Sequence, residues 1–266
     1  MTAESAAHRA YLKQAARQRR HVLFWRAALL VGLFALWECA ARMGWIDDFI
    51  TSSPSRALRA MTTLAKDGAL FSHVCATLWE TVVGFVLGTV LGTIAAALLW
   101  WFPRAAKVLD PYLVVLNALP KIALGPIIIV WVGAGMRAII VMALFISLIV
   151  TILSVYTGFS SVSEGSIRLM RTFGATRGQI FRMVVLPANV PTIISGLKIN
   201  VGMSWVGVIM GEFLVSEAGL GYLIVYGGQV FNLDLVMGAT LVLCVLAGGM
   251  YALVALLERR IQKARS

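Results

Sequence analysis

Residues 171–187 read RTFGATRGQIFRMVVLP. Arg171, Arg177 and Arg182, with Arg168 just upstream, bring four positive charges and no acid into a chain that is 60% hydrophobic and only 13% charged. Apolar runs at about residues 137–159 and 190–214 flank this stretch. Each can cross a hydrocarbon core of roughly 30 Å, which takes about 20 helical residues at 1.5 Å each. A basic, glycine-marked segment between two such runs reads as a connection at a membrane surface.

Outward from it, further apolar runs cover about 22–43, 76–101, 111–133 and 235–257, which makes six spans in all. Pro120 and Pro126 interrupt the third and should bend it, because proline removes a backbone donor and clashes with the preceding turn. Polar connections hold Asp47, Asp48, Pro54 and Ser55 after the first span, and Glu217, Gly219, Gly221, Asn232 and Asp234 before the last. The expectation is an all-α membrane protein: a basic N-terminal segment over 1–21, a membrane domain over 22–258 with a surface loop at about 160–187, and a basic tail over 259–266. The opening MTAESAAHRAYLKQAARQRR is too long and too basic for a cleaved signal peptide, so the first span is expected to be retained.

The net charge of +11 would suggest nucleic acid in a soluble chain, but here its placement decides. Arg9, Lys13, Arg17, Arg19, Arg20 and Arg26 lie before or at the first apolar run, and Arg259, Arg260, Lys263 and Arg265 close the chain. With the N-terminus inside, 16 of the 23 lysines and arginines fall on inner segments and five on outer ones. Positive residues favour the cytoplasmic side, so both termini and the 171–187 stretch are expected there, against lipid and without nucleic acid. Cys39, Cys75 and Cys244 form no CxxC pair or Cys/His cluster and read as small buried hydrophobes rather than metal ligands or a disulfide framework.

Chemistry-bearing motifs are sparse. The sequence has no GxxxxGK[ST] phosphate loop, no HExxH and no GxSxG, and His8, His21 and His73 are scattered. These absences point away from an enzyme and from a chain that hydrolyses nucleotide itself. Charges inside spans cost about 2.5–3.5 kcal/mol even on the lenient insertion scale, so Glu38, Glu80, Lys198 and Glu212 carry weight. The three glutamates fall near the outer surface, as structural groups or as the lining of a vestibule; Lys198 reads as an interfacial anchor or helix-pairing group. Gly84, Gly88 and Gly92, and Gly207 with Gly211, recur at four-residue spacing, which places small residues on one helix face for close packing.

Within the basic loop, Ser161 and Glu164 fit an S-x-x-E capping box, and Gly174 can supply a left-handed C-terminal cap. Thr176 and Gln179 fit a second box, for a short helix expected to stop near Pro187. Ile167, Met170, Phe173, Ile180, Phe181, Val184 and Val185 can face the membrane domain while the arginines face water, an acidic partner or anionic headgroups.

The order of residues resembles the cytoplasmic loop of binding-protein-dependent ATP-binding cassette (ABC) importer permeases, in which Glu-Ala-Ala, a glycine and a Leu-Pro recur at fixed separations. Gly174 is followed after nine residues by Val184, Val185, Leu186 and Pro187, while Arg168, Leu169 and Met170 stand at the Glu-Ala-Ala positions. LPKIALGPIIIVWVGAG (119–135), PSRAL (54–58), PANVPTIISGLKI (187–199) and GEFL (211–214) are similar to the branch that includes nitrate, taurine, alkanesulfonate and thiamine-precursor importers. The resemblance implies a type I importer fold with cytoplasmic coupling helices in the bacterial inner membrane. It implies a homodimer with two ATPase subunits beneath it and an extracytoplasmic binding protein above, and no cofactor. The coupling residues it implies are Glu164, Arg168, Met170, Arg171, Gly174, Ala175, Arg177, Leu186 and Pro187. Asn117, Asn200, Ser204, Trp205 and Glu212 are the implied path residues, for a small anionic solute. The alternative is a secondary transporter or channel driven by an ion gradient, which usually places ionisable residues at mid-bilayer.

Overall fold

A computed structural model describes residues 6–263, and the regular elements among them are helical. Three helices form the centre: α4 (Ala69–Trp101), α7 (Met136–Ser160) and α10 (Leu186–Val215). Their approach is set by the glycine stripes. A Cβ on Gly84 would stand 2.7 Å from the Cβ of Ala143, one on Gly92 would stand 2.5 Å from the Cβ of Thr151, and one on Gly88 would collide with Ser147. From α10, a Cβ on Gly207 would reach within 2.5 Å of the Cα of Ala143, and one on Gly211 within 3.0 Å of the Cα of Ile139. α7 is therefore clamped between two glycine faces. In lipid, where apolar burial gives helices no preference for each other, this close packing is what holds them together.

The remaining elements wrap this core. One continuous helix, α1 (Ala6–Arg42), carries the first span, whose apolar part covers Arg20–Arg42. The connection after it holds two helices, α2 (Asp48–Thr51) and α3 (Pro54–Lys66), where only a polar loop was expected. α12 (Leu233–Lys263) is the last span and continues into the basic tail.

The expected bend in the third span is a full break. α5 (Pro103–Ala118) ends before Leu119, which is extended at φ −60° and ψ 139° as the residue before Pro120 must be. A 3₁₀ turn over Lys121–Leu124 leads to α6 (Gly125–Val132), where Pro126 sits harmlessly in the first turn. The two halves meet at 93°. Lys121 Nζ donates to the backbone carbonyl of Asn117 at 2.8 Å, satisfying an acceptor left open at the end of α5. Among the described residues five helices are long and apolar enough to cross a membrane, and six segments are if this bent pair counts as one span.

The fifth span also departs from expectation. The helix opened at Thr176, α9 (Arg177–Ile180), does not stop near Pro187 but runs through a π-helical turn over Phe181–Val185 into α10. Pro187 cannot donate, and its ring crowds the carbonyl four residues back. The wider turn, in which Leu186 N–H reaches Phe181 O, absorbs that strain without ending the helix.

Ion pairs fasten the periphery. Arg56 meets Asp234 at 3.0 Å, joining α3 to the first turn of α12, and Ser52 Oγ donates to the same carboxylate at 2.7 Å. Glu38 accepts from Arg42 at 2.7 Å and from Ser55 N–H at 3.0 Å, so it ties α1 to the start of α3. Lys198 on α10 pairs with Glu258 on α12, which gives it the helix-pairing role.

Candidate functional site

α8 (Glu164–Thr172) and α9 stand together at the end of the bundle where α4 stops and α7 turns. α8 starts two residues later than its sequence suggests: Ser163, not Ser161, is the N-cap, and its Oγ accepts from Ser166 N–H. Ser161 instead closes α7, its Oγ donating to Gly158 O at 2.8 Å. At the other end of α8, Gly174 lies at φ +74°, Gly174 N–H reaches Arg171 O at 2.9 Å and Ala175 N–H reaches Met170 O at 3.0 Å. This is the paired-bond Schellman stop that a glycine makes possible. Thr176 and Gln179 form the reciprocal capping box that opens α9. Both short helices therefore open on local side-chain caps, and the segment is a shaped element.

One side of that element is anchored. Ile167, Met170, Ala175, Phe181 and Leu186 pack against a buried cluster of Ala96, Val155, Phe159, Ile180 and Val185. Arg177 donates to Trp100 O at 3.0 Å and lies over the Trp100 and Trp101 rings at 5.3 and 5.8 Å. Its charge is spent on the end of α4, where a cation over two indoles also suits the aromatic layer of a membrane interface.

The other side is open. Leu169 is 57% exposed and Phe173 78% exposed, one helical turn apart, with Arg168 and Arg171 beside them in sequence. Phe173 thus departs from the expectation that it faces the membrane domain. α8 carries a second apolar stripe, Leu169 and Phe173 at i and i+4, displaced from the Ile167–Met170 stripe that packs inward; that spacing was readable in the sequence. Arg168 meets Glu164 at 2.5 Å across one turn, an exposed pair of small energetic value that sets side-chain direction.

The five implied path residues divide. Asn117 is exposed beside the break between α5 and α6. Asn200, Ser204, Trp205 and Glu212 lie on α10 and are all buried within the protomer. Asn200 donates to Thr89 Oγ1 at 3.2 Å and Thr151 Oγ1 at 2.5 Å, so it joins the three central helices near their midpoints. With Thr93 and Ser154 these groups line a cleft of about 10 Å³. Trp205 packs with Val201 and Val254 between α10 and α12. Glu212 caps the start of α11 (Leu220–Gln229), accepting from Gly221 N–H at 2.5 Å. Thr89, Thr151 and the partners of Glu212 were not legible in advance, because contacts between distant helices leave no local spacing.

Known proteins match this arrangement. Residues 88–263 fit the profile of the family described as "Binding-protein-dependent transport system inner membrane component". A Haemophilus influenzae protein described as a "Probable ABC transporter permease protein" is 33% identical over 216 residues, 81% of this chain and 87% of its own length. The taurine transport system permease protein TauC of Escherichia coli is 25% identical over 223 residues, 82% of this chain and 81% of its own. A chain of the inward-facing MetNI methionine ABC transporter superposes with a TM-score of 0.64 at 22% identity, covering 76% of this chain and 98% of that one, which establishes the shared fold. The chain belongs to the inner-membrane components of binding-protein-dependent transport systems and is a multi-pass permease subunit of an ABC importer.

Proposed function

We propose that this permease imports a small anionic solute, a sulfonate, taurine, nitrate or a related organic anion, handed over by an extracytoplasmic binding protein. Two separate ATPase subunits dock from the cytoplasm on α8 and α9, and a second copy of this chain completes the membrane unit. Both termini lie in the cytoplasm, as the concentration of lysine and arginine on that side supports. The relative that transports taurine supports the solute class.

The observation that carries the reading is the two-sided nature of α8. Its inner face is seated on the ends of α4 and α7 through Ile167 and Met170, while Leu169 and Phe173 project outward between arginines. Exposed apolar side chains ringed by charge mark a protein-binding surface. α9, which follows α8 across the Gly174 turn and is joined to α10 through the π turn, can carry a displacement of the partner into the spans. Glu164, Arg168, Met170, Arg171, Gly174, Ala175 and Arg177 shape or flank this surface, and Leu186 and Pro187 begin the helix that receives the motion. Asn200, Ser204, Trp205 and Glu212 act on the path through the packing of α10, and Asn117 from the break beside it.

ATP-dependent uptake in sealed vesicles tests the proposal. Leu169→Ser with Phe173→Ser should abolish co-purification of the ATPase and uptake together, while thermal melting of the permease stays unchanged because neither side chain is buried. Retained co-purification and uptake would overturn the docking surface.

A further inference from the structure

Where α4 ends and α7 turns, α5 and α8 stand apart and leave a recess of about 750 Å³. That size falls in the range of about 300–1,000 Å³ usual for small-molecule sites. Among the described residues three cations line it, each from a different helix: Lys107 on α5, Arg171 on α8 and Arg177 on α9. Glu164 is the one acid among the described residues that line it, and Arg168 takes its carboxylate at 2.5 Å. Among the described residues no carboxylate pairs with Lys107 or Arg171. Arg177 gives one N–H to Trp100 O, and a guanidinium carries further donors. Most of the remaining wall is apolar and aromatic, with Trp100, Tyr156, Phe159 and Ile167 on it.

We infer that this recess binds the headgroup of an anionic phospholipid, with the phosphate between Lys107, Arg171 and Arg177 and the acyl chains along α5. The charge balance calls for an anion, because like charges that face one cavity repel each other until a negative group joins them, and basic pockets between spans suit lipid headgroups. The position calls for a lipid in place of a free anion. Trp100 and Trp101 stand in the last turn of α4, at the depth where tryptophan meets headgroups. From there α5 presents Val108, Tyr112 and Val115 at i, i+4 and i+7, each more than half exposed. This apolar stripe leads away from the cations, and acyl chains need such a surface while a soluble anion does not.

The recess lies on the side of α8 away from Leu169 and Phe173. Glu164, Ile167 and Arg171 recur at i, i+3 and i+7 and line it, so lipid and ATPase take different faces of one helix. A bound phosphate ties α8 to α5 across a gap that their own charges hold open, and so steadies α8 from its inner side. The proposed cytoplasmic orientation, on which only the choice of leaflet rests, puts the recess in the leaflet that carries the negative surface potential.

Native mass spectrometry of the full-length chain tests this, with phosphatidylglycerol or phosphatidylcholine added back after delipidation in detergent. The wild type should retain phosphatidylglycerol in preference to phosphatidylcholine. Lys107→Gln should weaken that retention about fivefold, the effect of one cation near anionic lipid. Arg171→Gln should weaken it as far, and Lys107→Arg should restore it. Arg104→Gln removes the same charge one turn earlier in α5, outside the recess, and should change nothing. Equal retention of the two lipids, no loss in Lys107→Gln, or an equal loss in Arg104→Gln would overturn the inference, the last by reducing the effect to bulk surface charge. Displacement of the lipid by glycerol 3-phosphate at equal concentration would overturn it too, by showing that the recess takes a free organic phosphate. Detergent offers the lipid without a leaflet and without the ATPase, so failure here leaves the proposed orientation and the docking at Leu169 and Phe173 untouched.

Discussion

Ala143 stands between two glycines that should answer differently to the same repair. A methyl added at Gly84 meets the Cβ of Ala143 at 2.7 Å, and its next neighbours, the Cα and carbonyl carbon of Ala143, lie at an ordinary 3.8 Å. Carbon atoms rest at about 3.5–4.0 Å, so the overlap is roughly 1 Å and rests on a single methyl. A shift of α7 to relieve the overlap also disturbs its packing on α10, because Gly207 abuts the same Ala143. Overpacking of this kind costs about 1–3 kcal/mol, or a fall of several degrees in melting temperature for a chain of this size. Ala143→Gly removes the offending methyl, so the double variant with Gly84→Ala should melt close to Ala143→Gly alone. A methyl at Gly207 instead meets the Cα of Ala143 at 2.5 Å and its N at 3.1 Å, both backbone atoms that no side-chain change removes. Ala143→Gly should therefore rescue Gly84→Ala and fail to rescue Gly207→Ala. Melting curves of the purified variants in detergent, taken at one scan rate, read the coupling. Unchanged stability of Gly84→Ala, or equal rescue of both alanine variants, would refute the double clamp.

Three further outcomes are expected. Gly174→Val forces a β-branched residue to φ +74° with no neighbour within 4 Å, so its cost is backbone strain of roughly 1–2 kcal/mol; trypsin should cut faster at Arg171 and Arg177 while the melting temperature of the bundle holds. Asn200→Ala removes hydrogen bonds to Thr89 and Thr151; at about 0.6 kcal/mol per interhelical bond in a membrane, the loss is about 1 kcal/mol. Glu258→Gln should destabilise more than Lys198→Met, because it leaves Lys198 without its ion-pair partner while Glu258 keeps the hydrogen bond from Ser195 when Lys198 is lost.

Much of the architecture was legible because helices in lipid announce themselves by length and composition. The spans led by α4, α7, α10 and α12 and the glycine faces between them follow from apolar runs and four-residue spacing. The break at Pro120 was visible as a bend but not as a 93° turn, since proline fixes the residue before it without saying where the chain goes next. Pro187 misled in the opposite direction: a π turn let the helix pass a residue that ordinarily stops one. α3 and α11 lie in connections rich in Gly, Pro and Ser: α3 opens on a local Ser53 cap with Pro54 behind it and Glu38 adds a contact from α1, whereas α11 is capped from a distant helix by Glu212. In the α8–α9 segment the caps at Gly174 and Thr176 were readable from local motifs. The inward duty of Arg177 was not, since its partners Trp100 and Trp101 lie far back in the chain.

Site-directed cross-linking tests the docking claim most directly. With Cys39, Cys75 and Cys244 replaced by serine, Phe173→Cys at the C-cap of α8 and Arg59→Cys on α3 place single thiols on exposed positions at opposite ends of the bundle. In the assembled transporter, Phe173→Cys should cross-link to the ATPase subunit and Arg59→Cys should not. An intact, transporting complex that cross-links through position 59, or that leaves position 173 free, would contradict the assignment of α8 as the surface through which ATP hydrolysis reaches the membrane helices.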